Sequence, residues 1–151
     1  MIAPVGELTA AGLKTLENRV WSHGFRGQFL IHASTRHARN FYADIMSRAL
    51  RIHGTEACAS IPSFKACQRG GFIGVARVAG IIMPKRKEPM PMYPLETDRA
   101  WHFFGGKSLK DDQYGFLIRD ARPIPFFPWR GRLGFFDVPD AVAREALAAA
   151  A

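Results

Sequence analysis

Cysteine, acidic side chains and long apolar runs are all scarce in this sequence. The chain of 151 residues contains two cysteines, Cys58 and Cys67, which excludes a disulfide-stabilised scaffold. Their spacing matches no zinc-ligand pattern, and no histidine pair lies beside them at metal-site spacing, so we expect neither a metal nor an organic cofactor. No run of about 18 apolar residues exists, which excludes a transmembrane helix. Residues 1–12 lack the basic and apolar segments of a secretory signal, so we expect a cytoplasmic protein with no membrane partner.

The remaining composition is that of a globular, strongly basic protein. Hydrophobic residues make up 48% of the chain and charged residues 23%, which is too apolar for a disordered chain. The length predicts a single domain over residues 1–151. Lysine and arginine number 21 against 13 acidic residues, for a net charge of +8. Such an excess favours a polyanionic partner, of which nucleic acid is the commonest, and is also compatible with a merely basic surface.

Hydrophobic periodicity predicts short strands separated by turns, together with a few helices. The predicted strands are residues 15–21, 28–33, 72–83, 100–104, 114–120 and 133–138. The predicted helices are a short one between Pro4 and Gly12, a longer one over residues 36–51 and a closing one over residues 139–151. Residues 54–71 are expected to be irregular, and the proline-rich residues 84–98 to form a surface loop. Five or six short strands with two or three helices predict an α+β fold built on a small, partly closed β-barrel.

Three blocks of sequence carry more information than composition does. The first places a glycine, a lysine, a glutamate and an arginine at fixed spacing, at Gly12, Lys14, Glu17 and Arg19. The second is Arg26-Gly27 followed by Ile-His-Ala-Ser at residues 31–34. The third runs over residues 114–123 and 129–136, and a glycine-led strand at residues 70–76 precedes it. In this order the blocks resemble the ASCH domain (activating signal cointegrator homology) of the PUA-like superfamily, and the likeness spans most of the chain.

The resemblance implies a PUA-like β-barrel of five to six strands flanked by two to three helices, with a cleft over one barrel mouth. Members of the family are proposed to bind RNA, and some are reported as ribonucleases. Some small bacterial relatives are amidohydrolases that remove the acetyl group from N4-acetylcytidine, with a threonine three residues after the lysine as nucleophile. Glu17 occupies that position here, so the resemblance does not carry this acyl-transfer step over to the chain.

The first block supplies the candidate catalytic residues, Lys14, Glu17 and Arg19. On a strand, Glu17 and Arg19 lie on one face, near enough to pair or to bind one ligand together. An arginine fork suits a phosphate or a planar base edge, and a glutamate accepts a hydrogen bond from an exocyclic amine. Lys14 precedes the strand and would act as a base or contact a phosphate. The competing interpretation is a structural ion network at the barrel mouth.

Eight further residues are candidate contacts to RNA or to a nucleotide-like ligand. They are Trp21, Arg26, His32, Ser34, Lys85, Arg86, Lys87 and Tyr114. Trp21 and Tyr114 are candidate stacking surfaces, and the Lys-Arg-Lys run is placed to follow a phosphate backbone. His32 is also interpretable as a core residue and Ser34 as the cap of the next helix. Trp101 is assigned to the core.

Two functions follow, and they share one cleft. The first is a module that binds single-stranded RNA, with cations on the phosphates and Glu17 with an aromatic residue around an unstacked base. The second is a metal-independent hydrolase, either a ribonuclease or an N4-acetylcytidine-type amidohydrolase, in which Lys14 is the base and Arg19 stabilises negative charge. A third possibility is an accessory protein whose cleft binds a protein partner. An open, salt-sensitive groove favours the first function, and a pocket of mononucleotide size favours the second.

Overall fold

The computed structural model describes residues 1–84, 86–102 and 113–148, which form four helices and four strands. The helices are α1 (Val5–Ala10), α2 (Arg39–Cys58), α3 (Glu96–His102) and α4 (Asp140–Ala148). The strands are β1 (Leu16–Arg19), β2 (Gly27–Ala33), β3 (Gly71–Ile82) and β4 (Tyr114–Pro128). The predicted α+β class is therefore confirmed.

The four strands form one antiparallel sheet in the order β1-β4-β3-β2. The two central strands are the longest, with 12 residues in β3 and 15 in β4. The short β1 pairs with the beginning of β4, where Arg19 lies opposite Tyr114. Strand β2 pairs with β3 as far as Ala33, which lies opposite Gly71. Among the described residues the sheet is open, so the predicted closure into a barrel of five to six strands is not confirmed.

Close packing of α1 against the sheet brings the end of this helix to the start of β1. A Cβ on Gly74 of β3 would lie 2.7 Å from the Cβ of Ala10, so glycine is what allows α1 to approach this closely. Leu8 of α1, Leu16 of β1 and Trp101 of α3 are all fully buried in one hydrophobic cluster. Lys14, which lies between α1 and β1, is buried beside Trp101 of this cluster.

Residues 100–104 were predicted as a strand, but residues 100–102 belong to α3, and residues 103 and 104 lie outside the described part of the chain. The carboxylate of Asp98 accepts a hydrogen bond from the backbone N–H of Leu95 at 3.1 Å, which closes the first turn of the helix. The same carboxylate lies 2.6 Å from Nη2 of Arg119 on β4. Asp98 and Arg119 are 21 positions apart in the sequence. Their contact stabilises a helix in a stretch that local periodicity predicts to be a strand. Trp101 is buried, as predicted, but it points inward from a helix.

Three other elements differ from the predictions. Helix α2 continues to Cys58 through a kink at Gly54, so part of the stretch expected to be irregular is helical. Strand β4 continues beyond Asp120, which adopts a positive φ of 55°, to Pro128. Residues 133–138, predicted as a strand, belong instead to an irregular stretch, residues 129–138, which we call the 129–138 segment. The segment pairs with no strand in the described sheet.

Candidate functional site

Lys14, Glu17 and Arg19 form a chain of ion pairs at the start of β1. Nζ of Lys14 lies 2.9 Å from Oε2 of Glu17, and Oε1 of Glu17 lies 2.8 Å from Nη2 of Arg19. The Lys14 ammonium also donates a hydrogen bond to the carbonyl of Leu16. The three side chains are 3%, 13% and 39% exposed in that order, so the chain leads from the interior to the surface.

The turn that follows α1 sets the position of Lys14. Gly12 has a φ of 74° and ends the helix, after which the backbone N–H of Lys14 donates to the carbonyl of Leu8 at 3.0 Å. The ammonium group then lies 5.6 Å from the centre of the Trp101 ring. A cation near an aromatic ring is stabilised more strongly when water is excluded, as it is at this depth. Lys14 is therefore a buried cation held by a carbonyl, a carboxylate and an aromatic ring.

The charge of Glu17 is set by two opposing effects. Burial raises the pKa of the carboxyl, but the charges of Lys14 and Arg19 outweigh burial, so the pKa lies below its ordinary value of 4.5. Glu17 is therefore ionised at neutral pH. An ionised carboxylate accepts hydrogen bonds but holds no proton to donate, which suits Glu17 to recognising a donor group rather than acting as a general acid.

The ion-pair chain lines a large cavity of about 1340 Å³, which we call the basic cleft. Of the residues that the structure describes, five cationic side chains line it against one carboxylate, that of Glu17. The cations are Lys14, Arg19, Arg36, Arg130 and Arg132. An excess of one charge along a concave surface attracts ligands of the opposite sign, so the cleft suits a phosphate-bearing ligand. Its volume lies above the range of about 300–1,000 Å³ typical of small-molecule sites.

A second cavity of about 500 Å³, the aromatic pocket, adjoins the basic cleft. Phe135 lines this pocket, and five rings lie around it with centroid distances between 5.1 and 6.1 Å. The surrounding rings are those of Trp21, His23, Phe25, Phe29 and Phe116. Glu17, Arg19 and His32 line both cavities. A cationic surface and an aromatic surface therefore meet at the carboxylate of Glu17.

His32 of β2 holds the 129–138 segment over the basic cleft. Its Nε2 lies 2.8 Å from the carbonyl oxygen of Trp129, so Nε2 carries the proton and donates. A Cβ on Gly131 would lie 2.4 Å from Cε1 of His32, so the segment passes over the ring at a distance that only glycine allows. His32 is thus a partly buried residue of the cleft wall with an evident structural role.

Ser34 and Trp21 also line these cavities, but Ser34 does not cap the next helix. Its Oγ accepts a hydrogen bond from the backbone N–H of Arg36 at 3.4 Å, while Ala38 occupies the N-cap position of α2 without a side-chain cap. The ring of Trp21 lies in the aromatic pocket, and the guanidinium of Arg19 lies 5.9 Å from the ring centre. The cavities thus bring together the three residues of the ion-pair chain with Trp21, His32 and Ser34.

The other predicted contacts lie elsewhere. Arg26, Arg86, Lys87 and Tyr114 line neither of these two cavities, and Lys85 lies outside the described residues. Nη1 of Arg26 is turned back on its own chain and donates to the carbonyl of Phe25 at 2.8 Å. Nζ of Lys87 donates to the hydroxyl of Tyr114 at 2.6 Å, so these two side chains contact each other at the beginning of β4.

Several residues of the two cavities were not selected from the sequence. Besides Phe135, they include Arg36, Arg130 and Arg132 on the basic cleft. Asn18 and Gln113 also line this cleft, and their side-chain oxygens Oδ1 and Oε1 are buried with no hydrogen-bond partner among the described residues. Arg130 and Arg132 are visible in the sequence as a small basic cluster, but no local pattern indicates that they meet Lys14 across more than 100 residues.

No group of three or more histidine, cysteine, aspartate or glutamate side chains within the described ranges lies where it could hold a metal ion. Cys58 and Cys67 are buried and unpaired, and burial raises the pKa of both thiols. In the same part of the chain, no helix combines the length and apolarity needed to cross a membrane.

The chain matches no protein-family model, and a search of curated proteins finds no match. The two cavities are therefore the basis on which a function is proposed.

Proposed function

We propose that this protein binds single-stranded RNA, with phosphates in the basic cleft and an unstacked base in the aromatic pocket. The observation that carries the proposal is the meeting of the two surfaces at Glu17 and Arg19, which line both cavities. Sequence-tolerant binding of single strands combines a cationic groove with aromatic side chains, and each stacked base contributes about 1–3 kcal/mol. Both components are present, in two adjoining cavities that share Glu17, Arg19 and His32 in their walls.

Recognition of the base is assigned to the carboxylate of Glu17, which lines both cavities. This carboxylate is ionised and accepts hydrogen bonds, so it suits a ligand group that donates one. The amino group on the edge of a splayed base is a donor of this kind.

The proposal includes the family and the finer fold. We propose that the chain is a single ASCH-like domain of the PUA-like type, acting in the cytoplasm, in which the four-stranded sheet belongs to a barrel of five to six strands. The support is that Lys14, Glu17 and Arg19 of the first block lie around one cleft with His32 and Ser34 of the second. Residues 129–136 of the third block line the two cavities as well.

A second candidate function is a metal-independent hydrolase in the same cleft. The observation that favours it is the ammonium of Lys14, which lines the basic cleft although the side chain is only 3% exposed. In this reaction Lys14 would move a proton, and Arg19 would stabilise negative charge that develops on the substrate. The substrate would be single-stranded RNA or an acylated nucleoside of the N4-acetylcytidine type.

The experiment that separates these functions is fluorescence anisotropy with a labelled single-stranded RNA, followed over time at two salt concentrations. A binding module gives a stable signal that weakens with salt, with a slope of log K against log salt of ~0.7 per phosphate contact. A ribonuclease gives a signal that rises and then decays below its bound level. No response at either salt would remove RNA as the ligand of the cleft.

The matched variants are two double variants, Arg130→Ala with Arg132→Ala and Arg51→Ala with Arg144→Ala, each of which removes two positive charges. Arg130 and Arg132 line the basic cleft, whereas Arg51 of α2 and Arg144 of α4 are exposed and line neither cavity. We expect the cleft variant to lower the salt slope by about 1.4 and the control variant to leave it unchanged. An equal effect of the two changes would mean that binding follows net charge and not the cleft.

A further inference from the structure

A second cluster of cations surrounds the ring of Phe64, beside the basic cleft. The guanidinium carbons of Arg39 and Arg69 lie 5.2 and 5.0 Å from the centre of this ring. The rings of His37 and Tyr42 pack edge-on against it, with centroid distances of 6.2 and 5.6 Å. We call these five residues the Phe64 cluster.

Hydrogen bonds fix two members of the cluster in place before any ligand arrives. The hydroxyl of Tyr42 donates to the carbonyl of Pro62 at 2.7 Å, which ties the Phe64 loop to α2. Nη1 of Arg69 donates to the carbonyl of Cys67 at 2.8 Å, and Nη2 donates to that of Phe64 at 2.5 Å. The Arg69 guanidinium is therefore held near the ring by contacts that do not neutralise its charge, and the exposed Arg39 guanidinium lies near the same ring. Side chains ordered in advance lose less entropy when they bind a partner.

The Phe64 cluster continues the wall of the basic cleft. Gly70, which follows Arg69, lines the cleft, as does Arg36, which precedes His37. The two wall segments touch, because the backbone N–H of Gly70 donates to the carbonyl of Ala33 at 2.8 Å. A chain of cations therefore leads from the cleft across Arg36 to the Phe64 cluster.

One carboxylate lies near these cations. Oε1 of Glu7 accepts a hydrogen bond from the backbone N–H of Gln68 at 3.1 Å. Burial raises the pKa of Glu7, while Gln68 and Arg69 act in the opposite direction. The cluster also adjoins Lys65, which is exposed. Cationic charge therefore still exceeds anionic charge around Phe64.

We infer that the Phe64 cluster is a second phosphate-contact site that extends the basic cleft, so that the ligand is a single strand of several nucleotides. This inference rests on the proposed RNA-binding function and names the length class of its ligand. Arginine binds phosphate with two parallel hydrogen bonds. Both Nη atoms of Arg69 already donate to backbone carbonyls, so this contact is assigned to the exposed guanidinium of Arg39, and Arg69 adds positive charge beside it. A strand whose base lies in the aromatic pocket runs through the cleft and reaches Arg39 with a more distant phosphate.

The test compares two labelled RNAs, one of about ten nucleotides and one of about three, against Arg39→Glu and Arg51→Glu. The longer strand covers a site of ordinary size for a single-strand-binding domain, and the shorter one fills only the pocket and the near cleft. Arg39 and Arg51 are both exposed and both lie on α2, so the two variants change net charge equally. Arg39→Glu is expected to weaken the longer strand about tenfold at low salt and to lower its salt slope by at least ~0.7, leaving the shorter strand unchanged.

The outcomes separate this inference from the function on which it rests. Equal affinities of Arg39→Glu and Arg51→Glu for the longer strand would overturn the second site while leaving RNA binding intact. Failure of the unaltered protein to bind either strand would overturn the proposed function itself. Arg39→Lys is the second variant, because it keeps the charge but loses the planar guanidinium fork. An RNA affinity between those of the wild type and Arg39→Glu, with unchanged thermal melting, supports the second site. A lowered melting temperature with wild-type RNA affinity counts against it.

Discussion

Glu17 is the residue on which the ion-pair chain depends, because it lies between two cations in very different surroundings. On one side it neutralises Lys14, whose ammonium is 3% exposed, and on the other it contacts Arg19, which is 39% exposed. A buried cation that loses its partner remains desolvated without compensation, whereas an exposed one returns to water. The Glu17 carboxylate therefore stabilises the buried Lys14 in the interior, and it also lines the cavities, where a ligand can contact it.

The two sides of this chain predict unequal losses of stability. Glu17→Ala leaves the Lys14 ammonium buried without a counter-charge, so we expect it to lower the free energy of unfolding by roughly 3–5 kcal/mol. Arg19→Ala leaves Glu17 paired with Lys14 and removes only a surface contact, for a loss of less than about 1 kcal/mol. Urea denaturation of both variants measures the difference. Comparable losses in the two proteins would mean that Lys14 is not desolvated as its burial indicates.

At the scale of elements, local sequence patterns predicted the strands that form. They gave the wrong secondary structure where a long-range contact determines the conformation. Strands 28–33 and 72–83 agree with β2 and β3, because alternating and apolar runs there pair with each other. Residues 100–102 became helical because Asp98 is held by Arg119, a contact no local pattern contains. Residues 133–138 have strand-like composition, but the partly buried Phe135 packs among rings from other parts of the chain instead. The positions of Lys14, Glu17 and Arg19 were predictable from spacing, whereas Arg130 and Arg132 depend on this segment.

The contact between Gly131 and His32 gives a prediction for the 129–138 segment. An alanine Cβ at position 131 would lie 2.4 Å from the His32 ring, so Gly131→Ala must lift the segment and move its arginines. We expect RNA affinity to fall about tenfold, equivalent to ~1.4 kcal/mol, with little change in the melting temperature because no residue of the segment is fully buried. Gly24→Ala is the control, since a Cβ there meets nothing within 4 Å. Wild-type affinity of Gly131→Ala would show that the placement of this segment does not matter for binding.

At the scale of the whole molecule, the chain has a net charge of +8, and folding concentrates several of its cations around one cleft. The sequence disperses its basic residues in small clusters, and charge alone left nucleic acid and a merely basic surface as alternatives. Folding brings residues near positions 14, 36 and 130 to one cleft and continues the charge toward Phe64. The sequence could not predict this gathering, because it depends on how the sheet and the 129–138 segment meet.

The pH dependence of global stability follows from three partly buried groups whose pKa values are all lowered by folding. Burial lowers the pKa of the Met1 amine below 8.0 and that of His53 below 6.5, and the cations around Glu17 hold its pKa below 4.5 despite burial. In each case the unfolded chain binds a proton at a higher pH than the folded protein does, so acidification favours unfolding. The contributions of Met1, His53 and Glu17 to the free energy of unfolding are fully present above pH 8.0, 6.5 and 4.5, respectively. Each contribution is lost as the pH falls below that value. The raised pKa of Glu7 has the opposite sign and offsets part of the loss at the acid end.

We therefore expect the melting temperature to fall continuously as the pH is lowered from about 8.5 to about 4, measured by circular dichroism. His53 stacks on Trp101, and the indole Nε1 lies 3.3 Å from its Nε2, so this acceptor must stay unprotonated. His53→Gln should remove the part of the fall that begins near 6.5 and leave the rest. A wild-type melting temperature that stays constant between about pH 7.5 and 5 would mean that His53 keeps the same pKa in the folded and unfolded chains, because a group contributes to pH dependence only when these two values differ.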